Sequence, residues 1–293
     1  MINFCHIAPV SHLHRVKNYR VHLLLAHLVE ENKEYRDFYV NLKKENPNVF
    51  YHMDNSAFEM FKRGVDMYPT DKLLKMAELV GADSIVMSDY PKEHSSKTID
   101  AAEKLIPLFK GEGYKTFFCP QSQLGQTADL IQTFAWAIEN RDIDYIGVSI
   151  LACPIGLGVN EQKFGDTGRD EAYRMQRYLS RWRVFQLLES EGLLDSRLTN
   201  KRFHCLGMTD GPREIELLNQ YHQHIFSWDS SSAIWHGIHE IRYDATPTGL
   251  RQGKFEEEVD FNYAKAITVA EESAIHYNMG LIDTMSRGEI TWD

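Results

Sequence analysis

The sequence predicts a single (β/α)8 barrel, on three observations. Eight short apolar runs recur along the whole chain, four of them ending in a polar or acidic residue. Segments of helical pattern lie between most of them, which favours βαβ units and a parallel sheet. The 293 residues fit one such barrel, which takes about 250, better than two ordinary domains.

Asn3–Pro9 and Val21–Leu28 are the first two expected strands, and residues 10–20 between them are too short for a crossover helix. A helical pattern over Asn32–Glu45 leads to strand Phe50–Asn55. The helix Thr70–Val80, whose start is marked by Pro69-Thr70-Asp71, leads to strand Ser84–Asp89. Helix Thr98–Gly111, stopped by Gly111 or Gly113, leads to strand Thr116–Gln121, and helix Gln126–Asn140 leads to Tyr145–Ile150. Helix Asp170–Glu191 precedes strand Phe203–Met208, and Pro212–His222 precedes Ile225–Asp229. Such continuous apolar runs suit strands covered on both faces. The tail from Val259 to Met285 reads as a helix that closes the barrel. Between strand six and its helix, Pro154 to Arg169 carries Gly156, Gly158, Gly165 and Gly168, so 151–170 is expected to be a long loop acting as a lid or clamp.

Hydrophobic residues make up 43% and charged residues 25%, which excludes disordered and fibrous classes. No 18 apolar residues run together, so neither a signal peptide nor a membrane partner is expected, and a cytoplasmic protein is. Cys5, Cys119, Cys153 and Cys205 show no C-x-x-C spacing and read as reduced, buried thiols. The net charge of −10 confines any nucleic acid to a local basic patch.

Barrel chemistry sits at the carboxyl ends of the strands. Asp54, Asn55, Ser56, Asp89, Gln121, Gly147, Gly207 and Asp229 gather there. Asp54 and Asp229 offer a proton carrier and a nucleophile. Asp89, followed by Tyr90 and Pro91, is poorly placed to cap a helix and could accept paired N–H donors from a heterocycle, while Gln121 can both donate and accept.

These segments resemble the tRNA-guanine transglycosylases and, closer still, their phage relatives that place 7-deazaguanines in DNA. HMDNSAFEMF, Asp54 to Phe58 especially, is similar to the family's D-S-G-G-[FY]-Q segment; SIVMSDYP to its base-reading Asp segment; PQSQLG to V-Q-G; and YIGVSI to G-G-L. HCLGMTDGPREI is similar to [LM]-G-x-G-x-P-x-[DE]-[IL], and SWDSSSAIWHG occupies the place of the strand-eight nucleophile. The six run in the family's order. The resemblance implies Asp229 as nucleophile, Asp54 as general acid/base, and base binding by Asp89, Gln121, Gly147 through its backbone, Leu206 and Gly207, with Asn55, Ser56 and Phe58 beside them. It implies a cofactor-free exchange in which guanine, flipped from DNA or in a single strand, is replaced by a base such as 7-cyano-7-deazaguanine. Two departures stand out: the family's C-x-C-x-x-C…H zinc site and its subdomain are missing, and Asn55-Ser56-Ala57 replaces S-G-G. The first shifts the expected substrate from tRNA to DNA and the source to a phage.

Arg174, Arg177 and Arg181 fall at i, i+3 and i+7, one helix face that could grip a nucleic-acid backbone, extended by Lys62 and Arg63. The 13 histidines, with His22 and His27 on one predicted strand and His6 and His27 near strand ends, keep a metal-dependent hydrolase open, although no metal ligand set stands out. A tRNA enzyme, a non-catalytic nucleobase- or nucleic-acid-binding barrel, and a homodimer also stay open.

Overall fold

In the computed structural model, residues 1–159, 171–195, 201–208, 211–251 and 259–289 are described. Eight parallel strands run β1 (Asn3–His6), β2 (Val21–Leu25), β3 (Phe50–Asp54), β4 (Ser84–Val86), β5 (Lys115–Phe118), β6 (Tyr145–Ser149), β7 (Arg202–Leu206) and β8 (Ile225–Ser230). Their hydrogen-bonded order is β1-β8-β7-β6-β5-β4-β3-β2. The ends β1 and β2 touch one another, so the sheet is a nearly closed barrel with one unpaired seam. That seam falls where the short first connection holds only a 3-10 helix, Val10–Val16.

The expected strands are all present, seven of the eight one to three residues shorter at the carboxyl end. The run Val21–Leu28 stops at Leu25 because Ala26–Glu31 is a helix, α1, continued after Asn32 by α2 (Lys33–Glu45). Asn32 caps α2 by accepting from the Tyr35 N–H at 3.0 Å. His27 is therefore helical, and the strand geometry expected for the pair His22 and His27 does not hold. The helices α3 (Ala57–Arg63), α4 (Thr70–Val80), α5 (Ser95–Gly111), α6 (Thr127–Glu139) and α7 (Ala152–Gly156) follow. Of the expected 151–170 loop, α7 and its turn are described and residues 160–170, with Arg169, lie outside the described residues.

The single helix expected over Asp170–Glu191 is two, α8 (Glu171–Tyr178) and α9 (Ser180–Ser190), joined at Leu179. Next come α10 (Glu214–Leu217) and α11 (Ser232–Ile238). The closing helix α12 (Val269–Ser286) starts ten residues later than expected, at a capping box in which Thr268 and Glu271 bond reciprocally.

The main core lies between strands and helices, from Phe4 and Leu24 round to Trp228 and Ile282. The barrel interior is filled in layers. Phe50, Tyr145 and Phe226 close the bottom, and His52, Phe117 and His204 stack above them. One irregularity shapes that interior: the β7/β8 register skips Phe226 between Phe203 and His204. Asn3 Nδ2 donates to the Phe226 carbonyl at 2.8 Å, and the shift places Ser227 opposite His204. All four cysteines are buried free thiols. Among the described residues no helix is long and apolar enough to cross a membrane.

Candidate active site

A cavity of about 410 Å³ opens among the carboxyl ends of the strands, a size suited to a nucleobase-scale ligand. Asp54, Asn55, Phe58, Lys62, Arg63, Asp89, Gln121, Leu206, Gly207 and Asp229, all expected at the site, line it.

Asp229 is the next-to-last residue of β8 and is held on one side only. Oδ1 accepts from the Gly207 N–H at 3.1 Å and lies 2.9 Å from His204 Nε2, while Oδ2 has no hydrogen bond among the described residues. His204 Nδ1 lies 2.7 Å from Ser227 Oγ. Ser227 Oγ in turn lies 3.4 Å from His52 Nε2, and His52 Nδ1 lies 2.5 Å from Ser84 Oγ. Burial pushes His52 well below the usual histidine range, and this chain through the barrel interior orients the carboxylate.

Gly207 is fixed in its turn. It takes a φ of 72°, and its carbonyl accepts from Trp228 Nε1 at 2.8 Å and Arg181 Nη2 at 3.0 Å. This corrects the arginine stripe. Arg181 is fully buried, ion-paired with Glu214 at 2.5 Å, and also donates to the Val148 and Leu206 carbonyls. It cannot reach a phosphate. The break at Leu179 separates it from Arg174 and Arg177, which are half-buried on α8 and do not line the cavity; Arg177 lies over the Tyr173 ring.

Asp54 ends β3 and accepts from the Ser56 N–H at 2.8 Å. Ser56 adopts a left-handed φ of 57°, a conformation that favours glycine, at the position where the resembling segment has one. It is fully buried and off the cavity wall, its Oγ 2.8 Å from His27 Nδ1, so it shapes the turn and does not contact a ligand. Burial, then the Glu59 carboxylate, holds Asp54 well above the usual carboxylate range.

Glu59 is the residue that the sequence reading missed. It lines the cavity from the first turn of α3, and its Oε2 is buried without a hydrogen-bond partner. Burial raises its pKa, and Asp229 adds to the shift. Two signals pointed to it: an acid inside the apolar run Ala57–Phe61, and its place at the final Gln of D-S-G-G-[FY]-Q. His204 had a signal too, since period-two alternation puts it on the same inward face as Leu206.

The folded state thus holds the Glu59 proton more tightly than the unfolded chain. That stabilisation is complete below the unfolded value near 4.3 and is lost as pH rises through the raised folded value. Glu59→Gln is expected to melt with wild type at pH 5 and roughly 2 to 4 °C above it at pH 8, the shift about 1 kcal/mol gives in a large domain. A difference that is equal at both pH values in calorimetric scans would contradict a buried, proton-holding Glu59.

Deeper in the cavity, Asp89 accepts from Asn55 Nδ2 at 2.9 Å and Gln121 Nε2 at 2.5 Å. Burial raises its pKa while these two bonds oppose the shift. Asn55 also donates to the Met87 carbonyl and accepts from the Ala57 N–H, so its amide is occupied by the fold and positions Asp89. Gln121 is different: with Nε2 on Asp89, its Oε1 is buried and has no hydrogen-bond partner among the described residues, an acceptor that a ligand N–H could meet. Gly147 does not line the cavity. A Cβ there would come within 2.9 Å of Leu206 and 3.0 Å of Phe117, so its role is to let the layer under the cavity close. Of the histidines, His27 and His236 line the cavity, while His6 pairs with Asp283 at 3.2 Å away from it. Among the described residues no three His, Cys, Asp or Glu side chains are grouped to hold a metal ion.

The chain matches no protein-family model and no curated protein sequence. Solved structures similar to it include a tryptophan synthase alpha subunit of Legionella pneumophila, with 10% identity, a TM-score of 0.44, and coverage of 95% of this chain and 84% of that one. Citrate synthase SbnG is similar at 16% identity and a TM-score of 0.43, over 80% and 87% of the two chains. A D-psicose 3-epimerase is similar at 7% identity and a TM-score of 0.38, over 78% and 84%. At these values the comparisons carry no argument; it is the chain's own eight parallel strands with helices between them that make it a (β/α)8 barrel.

Proposed function

We propose that the chain is a base-exchange enzyme that replaces guanine in DNA with a 7-deazaguanine through a covalent intermediate on Asp229. The observation that carries this reading is the half-held Asp229: Oδ1 is fixed by Gly207 and His204, and Oδ2 has no hydrogen-bond partner among the described residues, in a cavity that also holds Asp54 and Glu59. An oriented carboxylate with one available oxygen suits attack on a sugar C1′. Carboxyls held above their usual range suit proton transfer near neutral pH.

In the first step Asp229 Oδ2 bonds to C1′ as the C1′–N9 bond breaks, and the departing guanine takes a proton from Asp54. In the second step Asp54 removes the N9 proton of the incoming base. N9 then bonds to C1′, and the Asp229 carboxylate is released. Neither step needs water or a redox partner. Asp89 and the free Gln121 Oε1 would face the N–H groups of the base edge, and the raised Asp89 can carry or accept a proton as that edge requires. The ordered motif resemblance supports guanine as the base, and the missing zinc-binding segment supports DNA over tRNA.

Nucleoside mass spectrometry tests the reading on cells that express the chain and are supplied with 7-cyano-7-deazaguanine. A deazaguanine deoxynucleoside in DNA, lost with Asp229→Ala, is the expected result. The modified nucleoside in tRNA alone would move the substrate to RNA, and its absence from both would overturn base exchange.

A further inference from the structure

Two aromatic rings beside the cavity are exposed, Phe58 by 36% and Phe61 by 42%. They are three residues apart and share one face of α3, and Phe58 also lines the cavity mouth. Each ring has an ammonium group over it. Lys62 Nζ lies 4.4 Å from the Phe58 centroid, and Lys92 Nζ, from the loop after β4, lies 5.4 Å from that of Phe61. Arg63, also exposed, follows on the same helix, 3.9 Å from Glu31. On a chain of net charge −10 this gathers three cations around two accessible rings at the rim of the candidate site.

Rings with accessible faces and adjacent cations are the elements by which single-stranded nucleic acids are held, bases stacking on the rings and phosphates meeting the cations. We propose that Phe58, Phe61, Lys62, Arg63 and Lys92 form a platform for the nucleotides flanking the target base in single-stranded DNA. The proposal rests on DNA being the substrate of the neighbouring cavity. It also gives the backbone grip that Arg181, locked under the strands, does not supply.

Fluorescence anisotropy with an end-labelled single-stranded oligodeoxynucleotide of about a dozen nucleotides, within the site sizes of such surfaces, tests it. Phe61→Ala should weaken binding roughly tenfold to a hundredfold, Phe61→Trp should retain it, and Phe61→Leu, which keeps apolar bulk without a π face, should not. Changing Lys62, Arg63 and Lys92 together to Ala should flatten the dependence of log K on log salt by about 2, at roughly 0.7 per lost phosphate contact. Phe61 is half-exposed and outside the cavity wall, so calorimetric binding of free guanine should be the same in Phe61→Ala as in wild type. Equal DNA affinity of wild type and Phe61→Ala, with base exchange intact, would overturn the platform and leave the proposed activity standing. A wild-type protein that binds no DNA would overturn both, and RNA of the same sequence binding tenfold more tightly would overturn DNA as the occupant.

Discussion

Asp229→Ala is expected to lower guanine exchange by at least about 10⁴-fold, the scale on which loss of a covalent nucleophile is felt. The other cavity carboxyls cannot replace it. Asp54 is held above the usual carboxylate range by burial and the Glu59 carboxylate, and Glu59 by burial and Asp229, which favours the protonated, non-nucleophilic form. Asp89 has both oxygens bonded to amides. Asp229→Asn, nearly isosteric, should fold as wild type does and be equally inactive. Release of radiolabelled guanine from DNA in the presence of the incoming base measures both variants, and a loss smaller than tenfold would remove Asp229 as the nucleophile.

The second large effect is on stability. Arg181→Ala is expected to destabilise the fold by about 3 to 5 kcal/mol, since it removes the guanidinium paired with the buried Glu214 carboxylate. The Val148, Leu206 and Gly207 carbonyls would each lose a donor. Arg181→Met with Glu214→Leu should recover much of that stability, because no charge is then stranded. Exchange should stay low in the double variant, because the Gly207 peptide that holds Asp229 has lost one of its two anchors. Denaturant titration alongside exchange kinetics separates the two outcomes. An Arg181→Ala protein as stable as wild type but weak only in DNA binding would restore the surface arginine stripe.

The barrel was legible because strands buried on both faces leave continuous apolar runs, and all eight runs are strands. Helix ends with strong local signals were legible too, as at Thr70–Val80. The misses share a physical cause. The helix α1 begins directly at the end of β2, so Ala26–Leu28 reads as a prolonged apolar strand, and α11, one residue after β8, was not expected at all. In the site, Asp54, Asp89, Gln121 and Asp229 were found by position, because a polar residue closing an apolar run faces the barrel mouth. Arg181 was misread because helix spacing fixes a face and does not say which face is covered; the Glu214 that neutralises it is 33 residues away. Glu59 and His204 were passed over because neither ends a strand. Their importance follows from what they face, Asp54 and Asp229, and that is set by the turn at Ser56 and the register shift at Phe226.

Base exchange by this route depends on a covalent bond between Asp229 and the sugar. It is tested by the intact mass of the protein, quenched in denaturant after incubation with a single-stranded, guanine-containing oligodeoxynucleotide and no incoming base. The account predicts a mass gain equal to the oligonucleotide less one guanine, carried by the peptide containing Asp229 and absent from Asp229→Ala. Guanine exchange at the wild-type rate without an adduct, or an adduct on Asp54 or Glu59, would contradict it.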